Sequence, residues 1–133
     1  MLGALGLSGL CAAMTIAAAT STAVFLAFVT EVLIPALQRT RPDAIVVMDN
    51  LAPHKAACVR HALDQAGISY RYLPAYSPDM NPIEPAWSKL KTYLRTRAAR
   101  SRDALEAAIP DALQTITPSD AQGWFRHAGY TLN

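Results

Sequence analysis

The sequence predicts an α/β fold in which a mixed β-sheet is flanked by helices. Of the 133 residues, 52% are hydrophobic and only 17% are charged, so the chain has enough apolar side chains for a packed core and is not typical of a disordered protein. The chain opens with a pattern typical of a β-hairpin. After it, short apolar runs typical of strands alternate with segments of helical periodicity, which indicates a mixed sheet.

The first elements follow from apolar runs and the turn residues between them. Two apolar stretches, residues 2–7 and 10–17, flank a turn near Ser8 and predict the hairpin. Ser21 or Thr22 can then cap a helix that runs to about residue 38. The continuous apolar run 44–48 predicts a strand that is buried on both faces.

Proline and glycine mark the ends of the remaining elements. We expect a helix from Pro53 to Gly67, a strand over 68–73 and a loop over 74–80. Three helices should follow. The first covers 82–99, the second begins after Ser101 and is kinked or split by Pro110, and the last is short and runs from Ser119 to Gly129. In the helix after Ser101, we expect Leu105, Ile109, Leu113 and Ile116 to face inward.

A membrane span or signal peptide is the alternative explanation of the first thirty residues, because no charge occurs between Leu2 and Thr30. No basic residue precedes this stretch, and glycine, serine and threonine recur within it. Cys11 and Cys58 lack the spacing of a metal or redox motif and indicate reduced thiols. We therefore expect a cytoplasmic protein without stable membrane association, and keep a small membrane or exported protein as an alternative.

Asp49 closes the apolar strand 44–48, and burying an acid there is costly unless it is solvated, paired or bound to a cation. In open α/β sheets, functional sites gather at the carboxyl ends of strands, where Asp49 lies. The alternative is a loop aspartate that caps the helix beginning at Pro53. His54, at the start of that helix, could contact substrate or order water, or could simply cap or pack.

Glu84 lies where the helix over 82–99 begins, with Asn81 as the expected cap and Pro82 in the first turn. A helix N-terminus keeps a carboxylate ionised, and the ionised form is the one that binds a hard cation. Glu84 could therefore be only a capping residue, or could join Asp49 in holding Mg²⁺, with Mn²⁺ as the alternative ion. Two such ions can drive phosphodiester chemistry.

A basic segment follows Glu84. Although the net charge is only +2, six cations and no acid occur between positions 89 and 102, namely Lys89, Lys91, Arg95, Arg97, Arg100 and Arg102. Lys91 and Arg95 share a helix face with Glu84 and have no acid four residues before them. We expect this face to bind a phosphate backbone, and an ordinary solvated face is the alternative.

Three other residues near these positions have less specific interpretations. Lys55 could contact phosphate or be simply exposed. Asp79 is read as a structural turn residue. The aromatic residues Tyr72, Tyr76 and Trp87 are expected to anchor the core and the loop rather than to stack on bases.

The segments "VVMDNLAPHK", "YLPAYSPDMNPIEPAWSKLK" and "WFRHAGY" resemble the catalytic domain of bacterial insertion-sequence transposases of the six-thirty type, which are mariner-related members of the DDE superfamily. The resemblance extends over nearly the whole chain. Between Asp49 and Glu84 lie 34 residues, which is the separation that this family has between its second and third catalytic acids.

The resemblance implies a ribonuclease H-like fold and Mg²⁺-dependent cleavage and transfer of DNA strands at element ends. It implies that Asp49 and Glu84 are catalytic and bind the metal. It also implies that Asn50, His54 and Asn81 support the site, and that Lys91 approaches DNA. The expected DNA partners are the transposon ends and the target.

One departure from the family concerns its first catalytic acid, which lies on a strand upstream of the hairpin, whereas here no acid precedes Glu31. We therefore expect residues 1–133 to form a partial catalytic domain that lacks its first strand and the amino-terminal helix-turn-helix domain. Alone it would be inactive, and it would need a homo-oligomer or a partner chain that supplies the amino-terminal part. The alternative is a non-catalytic fragment that binds DNA or a transposase.

Overall fold

The computed structural model describes residues 1–14, 21–97 and 100–130. The chain divides into two compact units. The first unit comprises Met1–Ala4 and Cys11–Asn81, and the second comprises Leu5–Leu10 and Pro82–Asn133. The opening hairpin thus contributes residues to both units.

The predicted hairpin is formed by β1 (Leu2–Gly6) and β2 (Gly9–Met14), which pair as a two-stranded sheet. The turn depends on Gly9, whose φ of +115° lies in a region that side-chain-bearing residues rarely adopt. The last residues of the second strand as predicted, 15–17, lie outside the described residues.

The first long helix runs from Thr22 to Thr40 as α1 (Thr22–Phe28), one wide π-helical turn (Val29–Leu33) and α2 (Ile34–Thr40). As predicted, Ser21 caps it, and its side chain accepts a hydrogen bond from the Val24 N–H. In the wide turn, the Ile34 N–H donates to the Val29 carbonyl, five residues back. The wide turn precedes Pro35, whose ring clashes with the carbonyl four residues back in a regular α-helix.

This helix supplies most of the apolar side chains in the core of the first unit. Its length and composition alone would let it cross a membrane, and it is the one helix in the described segments for which this is true. The main cluster of buried residues in the first unit comprises Ala12, Phe25, Phe28, Val29, Leu33, Ile34, Ala36, Leu37, Met48, Val59, Leu63 and Ile68, and Leu73 is buried as well. The apolar side of the helix is thus explained by packing within this unit.

Strands β3 (Ile45–Met48) and β4 (Ser69–Tyr72) form a parallel pair, with Ile45 opposite Ser69 and Met48 opposite Tyr72. The helices α3 (Ala52–Lys55) and α4 (Ala57–Gln65) connect them. A crossover of this kind is what a parallel pair requires. The mixed α/β fold class is therefore confirmed.

The prediction that strand 44–48 is buried on both faces is wrong. Ile45 and Val47 are 56% and 41% exposed, whereas Met48 is buried. Successive side chains of a strand point to opposite faces. The face with Val46 and Met48 packs on the core of the first unit, while Ile45 and Val47 lie on the other face, beside exposed residues of β4.

The second unit contains α5 (Ile83–Thr96), α6 (Arg102–Gln114) and α7 (Pro118–His127). Its buried residues are Ala86, Leu90, Ala108, Ala112, Ile116 and Ala121, of which Ala86, Leu90, Ala112 and Ile116 form one cluster. Side chains that pack against this core include Leu5 and Leu10 of the hairpin.

Several details of the second unit differ from the sequence-based expectations. Pro82 rather than Asn81 occupies the N-cap position of α5, so Glu84 lies one position earlier in the first turn. Helix α6 is not split, since Pro110 lies within one continuous helix, and Leu105 is 40% exposed because the small Ala108 and Ala112 face the core instead. Thr117, not Ser119, caps α7, because it forms a reciprocal capping box with Asp120.

Candidate functional site

Asp49 directly follows β3 and lies at the carboxyl end of the parallel pair, as the sequence predicted. Its side chain is partly exposed, but Oδ1 is buried and has no hydrogen-bond partner among the described residues. The Nδ1 atom of His54 lies 2.5 Å from this Oδ1 and 3.2 Å from the Asp49 carbonyl oxygen. His54 therefore contacts one oxygen of the carboxylate, and the carboxylate has further lone pairs that suit a cation.

His54 is held from three sides within the first unit. One of its contacts is the approach to Asp49 just described. The ring of Phe25 packs against its imidazole with centroids 4.3 Å apart, and the Tyr72 hydroxyl donates a 2.8 Å hydrogen bond to its backbone carbonyl. Burial, the largest cause, raises the pKa of the Tyr72 hydroxyl, and the nearby Tyr70 raises it further, which keeps the hydroxyl protonated as a donor.

Sequence reasoning missed Phe25 as a neighbour of His54. Tyr72 was expected to anchor the core, and it does pack there, but its bond to His54 was not foreseen. Helical periodicity identified Phe25 as a core residue without indicating which loop it meets. Local sequence patterns cannot predict the contact between Phe25 and His54, because it joins two separate elements, α1 and α3.

Asn50 and Lys55 lie near Asp49 in sequence and are both exposed. Asn50 comes immediately after Asp49, and Lys55 ends the short helix α3. The first unit therefore brings together, at the carboxyl end of β3, four of the residues that the sequence singled out: Asp49, Asn50, His54 and Lys55.

Glu84 belongs to the second unit, in the first turn of α5, and is exposed. It has no ion-pair partner in the described part of the chain. Asn81 is half-buried and ends the first unit, after the 3₁₀ turn Pro78–Met80 that contains the exposed Asp79. Across the residues that the structure describes, no group of three or more His, Cys, Asp or Glu side chains is arranged to hold a metal ion.

The basic segment is less uniform than the sequence suggests. Lys89 points its Nζ to Asp120 Oδ2 at 2.5 Å and donates to the Thr115 carbonyl at 2.8 Å. The Lys89 hydrogen bond, more than any other contact, lowers the pKa of Asp120, and the Thr117 N–H lowers it further. This cation therefore joins helices within the second unit and is not available to DNA.

Two arginines of the segment also have acidic partners, since Arg97 lies 4.0 Å from Asp111 and Arg102 lies 3.2 Å from Glu106. Lys91 and Arg95, by contrast, are exposed on α5 and form no ion pair within residues 1–14, 21–97 and 100–130. Arg95 Nε donates only to the Lys91 carbonyl, at 3.4 Å. Arg100 is exposed as well and forms no ion pair with a described residue, so Lys91, Arg95 and Arg100 are the cations of this segment that are free to meet a phosphate.

The loop after β4 contains an aromatic residue that does not behave as expected. Tyr72 and Trp87 pack against the cores of their units, as predicted. Tyr76 does not anchor the loop, because it is 101% exposed. It is also the one described non-glycine residue with a positive φ, of 59°.

Comparisons with known proteins identify a family and a similar fold. A family model described as DDE superfamily endonuclease matches residues 1–106. Three solved structures of the Mos1 transposase catalytic domain have a similar fold, and each match extends over 96% of this chain. The Mos1 structure with raltegravir and Mg is 19% identical to this chain and has a TM-score of 0.61, and the match covers 73% of the Mos1 chain.

The structure of the Mos1 domain with raltegravir and Mn has 20% identity, with 74% of that chain covered and a TM-score of 0.51. The crystal structure of the Mos1 mariner transposase catalytic domain also has 20% identity, with 72% of that chain covered and a TM-score of 0.51. No curated protein matches the sequence. The ribonuclease H-like fold expected from the sequence is confirmed by these structures.

Proposed function

Because the chain belongs to the DDE superfamily endonucleases, we propose that it is part of a transposase catalytic domain, which cleaves and transfers DNA strands during transposition of an insertion sequence. The observation that carries this proposal is the position of Asp49, whose carboxylate lies at the carboxyl end of a parallel strand pair with Oδ1 2.5 Å from His54 Nδ1.

Asp49 and Glu84 are the residues that would hold the metal. A bound Mg²⁺ ion, or Mn²⁺ in its place, supplies the Lewis acid that activates an attacking water or hydroxyl and stabilises the leaving oxygen. His54, packed against Phe25, keeps the Asp49 carboxylate in one orientation. Asn50 and Asn81 would support the site with their polar side chains.

Lys55, Lys91 and Arg95 would bind the phosphate backbone of the transposon ends and of the target. Each is exposed, and none has an acidic partner among the described residues. An exposed cation without a partner gains most from a phosphate, since binding releases the counterions condensed on DNA.

Residues 1–133 would act as a partial catalytic domain. The described side chains offer no cluster of three carboxylates, whereas the DDE site that this family implies uses three. We propose that the chain alone cleaves DNA little or not at all, and that a homo-oligomer or a partner chain supplies the missing acid. The protein would act in the cytoplasm without stable membrane association.

A non-catalytic module that binds DNA or a transposase is the second candidate, and the two unpaired cations on α5 favour it. The two candidates differ in their dependence on Asp49. In the module, DNA binding would survive Asp49→Ala and weaken steeply with salt. In the partial enzyme, Asp49 would also bind metal.

The experiment that tests the proposal measures metal binding by NMR. Substoichiometric Mn²⁺ should broaden the backbone amide signals of Asn50 and His54 in the wild-type chain, and Asp49→Asn should abolish this broadening. Asp79→Asn is the matched control, since it removes another acid of the first unit, exposed on the loop, and it should leave the broadening unchanged. Equal broadening in both variants would contradict a metal site at Asp49.

Cleavage is tested separately on supercoiled DNA with Mg²⁺ or Mn²⁺. We expect no nicking above background by the 133-residue chain. Robust cleavage that Asp49→Asn abolishes would show that the described acids suffice, and would overturn the proposed need for a partner.

A further inference from the structure

We propose that Tyr76 is a stacking site for an unpaired or terminal DNA base. The inference rests on the proposed function, because it takes DNA as the partner. Tyr76 contributes neither to the packed core nor to the proposed metal site.

The backbone of Tyr76 is held in a conformation that costs energy. Its φ of 59° lies in the left-handed region, where the Cβ of an L-residue crowds the backbone. Glycine or asparagine would adopt this conformation more readily. A bulky aromatic residue at such a position is an outlier, and outliers of this kind concentrate at functional sites.

The ring of Tyr76 makes no stabilising contact within the described part of the chain that would offset this conformational cost. The side chain is fully exposed, so it buries no apolar area. It makes no hydrogen bond or ring contact with the described residues. Its loop neighbours Pro74 and Ala75 are exposed as well. An external ligand is therefore the remaining source of favourable contacts for this ring.

The loop that carries Tyr76 begins at the end of the sheet where Asp49 lies. The Leu73 N–H donates to the Met48 carbonyl at 2.8 Å, so the chain leaves β4 beside the residue that precedes Asp49. Within the first unit, DNA bound at the Asp49 carboxylate would therefore reach this loop.

The chemistry of the loop favours a base over a phosphate. Asp79 is exposed three residues after Tyr76, and its negative charge repels the DNA backbone. The faces of bases inside a duplex are already stacked, so the ring can meet only a terminal or unpaired base. Stacking of this kind accepts any base, because every base has an aromatic face.

The experiment compares two DNA ligands, a blunt duplex and the same duplex with a three-nucleotide overhang that contains 2-aminopurine. The variant Tyr76→Asn removes the ring and suits the left-handed backbone, so it should fold as stably as the wild type or more so. We expect it to bind the overhang duplex roughly 5- to 150-fold more weakly and to lose the quenching of 2-aminopurine. Binding of the blunt duplex and the salt dependence should not change.

The variant Tyr76→Phe keeps the ring and is the matched control. It should retain overhang binding and the quenching. If Tyr76→Asn binds and quenches like the wild type, the stacking site is overturned while DNA binding stands. If the wild type binds neither ligand, the proposed DNA-binding function fails as well. If Tyr76→Asn instead changes only self-association, measured by light scattering, the ring belongs to a protein interface and the inference is wrong.

Discussion

The Tyr72 hydroxyl donates a hydrogen bond to the His54 backbone carbonyl, and the two residues are 18 positions apart in the sequence. The bond joins the end of β4 to the short helix that follows Asp49. Since His54 also contacts Asp49 and Phe25, the orientation of the acid depends on residues from three separate elements.

Replacement of Tyr72 by phenylalanine should lower the free energy of unfolding by about 0.5–1.5 kcal/mol, because it removes one hydrogen bond and keeps the packed ring. Urea denaturation measures this change. The side-chain NMR signals of His54 should also shift. Tyr70→Phe is the matched control, since no hydrogen bond of the Tyr70 hydroxyl is seen, and an equal loss of stability in this variant would contradict the role given to the Tyr72 hydroxyl.

The Lys89–Asp120 pair should make stability depend on pH. Because the pKa of Asp120 is lowered in the folded chain, the stabilisation is present above its ordinary value of 3.8 and is lost as the pH falls through the lowered value. Urea denaturation between pH 7 and pH 2.5 should show this loss in the wild type. It should be smaller in Lys89→Met, which removes the cation, whereas Asp111→Asn should keep most of it.

Binding to duplex DNA should depend on the unpaired cations of α5. Lys91→Ala and Arg95→Ala should each weaken binding and reduce the slope of log affinity against log salt by about 0.9. Fluorescence anisotropy at several salt concentrations measures both. Arg102→Ala, which removes a cation already paired with Glu106, should change the slope much less, and an identical effect of all three would mean that only total charge matters.

Replacement by alanine should lower the free energy of unfolding strongly at Leu63 and only slightly at Leu105. Leu63 is completely buried in the first unit, so Leu63→Ala should cost about 2–5 kcal/mol of unfolding free energy. Leu105→Ala should change stability by about 0.5 kcal/mol or less, since this side chain is exposed. Thermal and urea unfolding measure both variants, and similar losses would show that Leu105 packs inward as its helical spacing first indicated.

Local sequence patterns predicted the hairpin, the positions of the parallel strands and the placement of Asp49 at a strand end. Each of these depends on residues within one element or on its flanking turn. The TPSD segment around Thr117 also has the spacing of a capping box, so the sequence itself indicates Thr117 rather than Ser119 as the cap.

The features that were missed depend on contacts between distant residues. Lys89 was counted in the acid-free basic segment 89–102 because its partner, Asp120, lies 31 positions away. Ile45 and Val47 were expected to be buried because a continuous apolar run does not show whether one or both faces of the strand pack against other elements. Tyr76 combines a positive φ with full exposure, and composition indicates neither.

The division of the hairpin between the two units has a consequence for the order in which the nascent chain can fold on the ribosome. Leu5 and Leu10 are synthesised more than 100 residues before Ile116, yet they pack with a core that is completed only when Ile116 has been synthesised. Neither unit is one uninterrupted stretch of polypeptide, so a gene truncated after residue 81 would yield a product with two leucines left without their packing partners. Separate expression of the halves should give insoluble material, whereas co-expression restores the missing contacts.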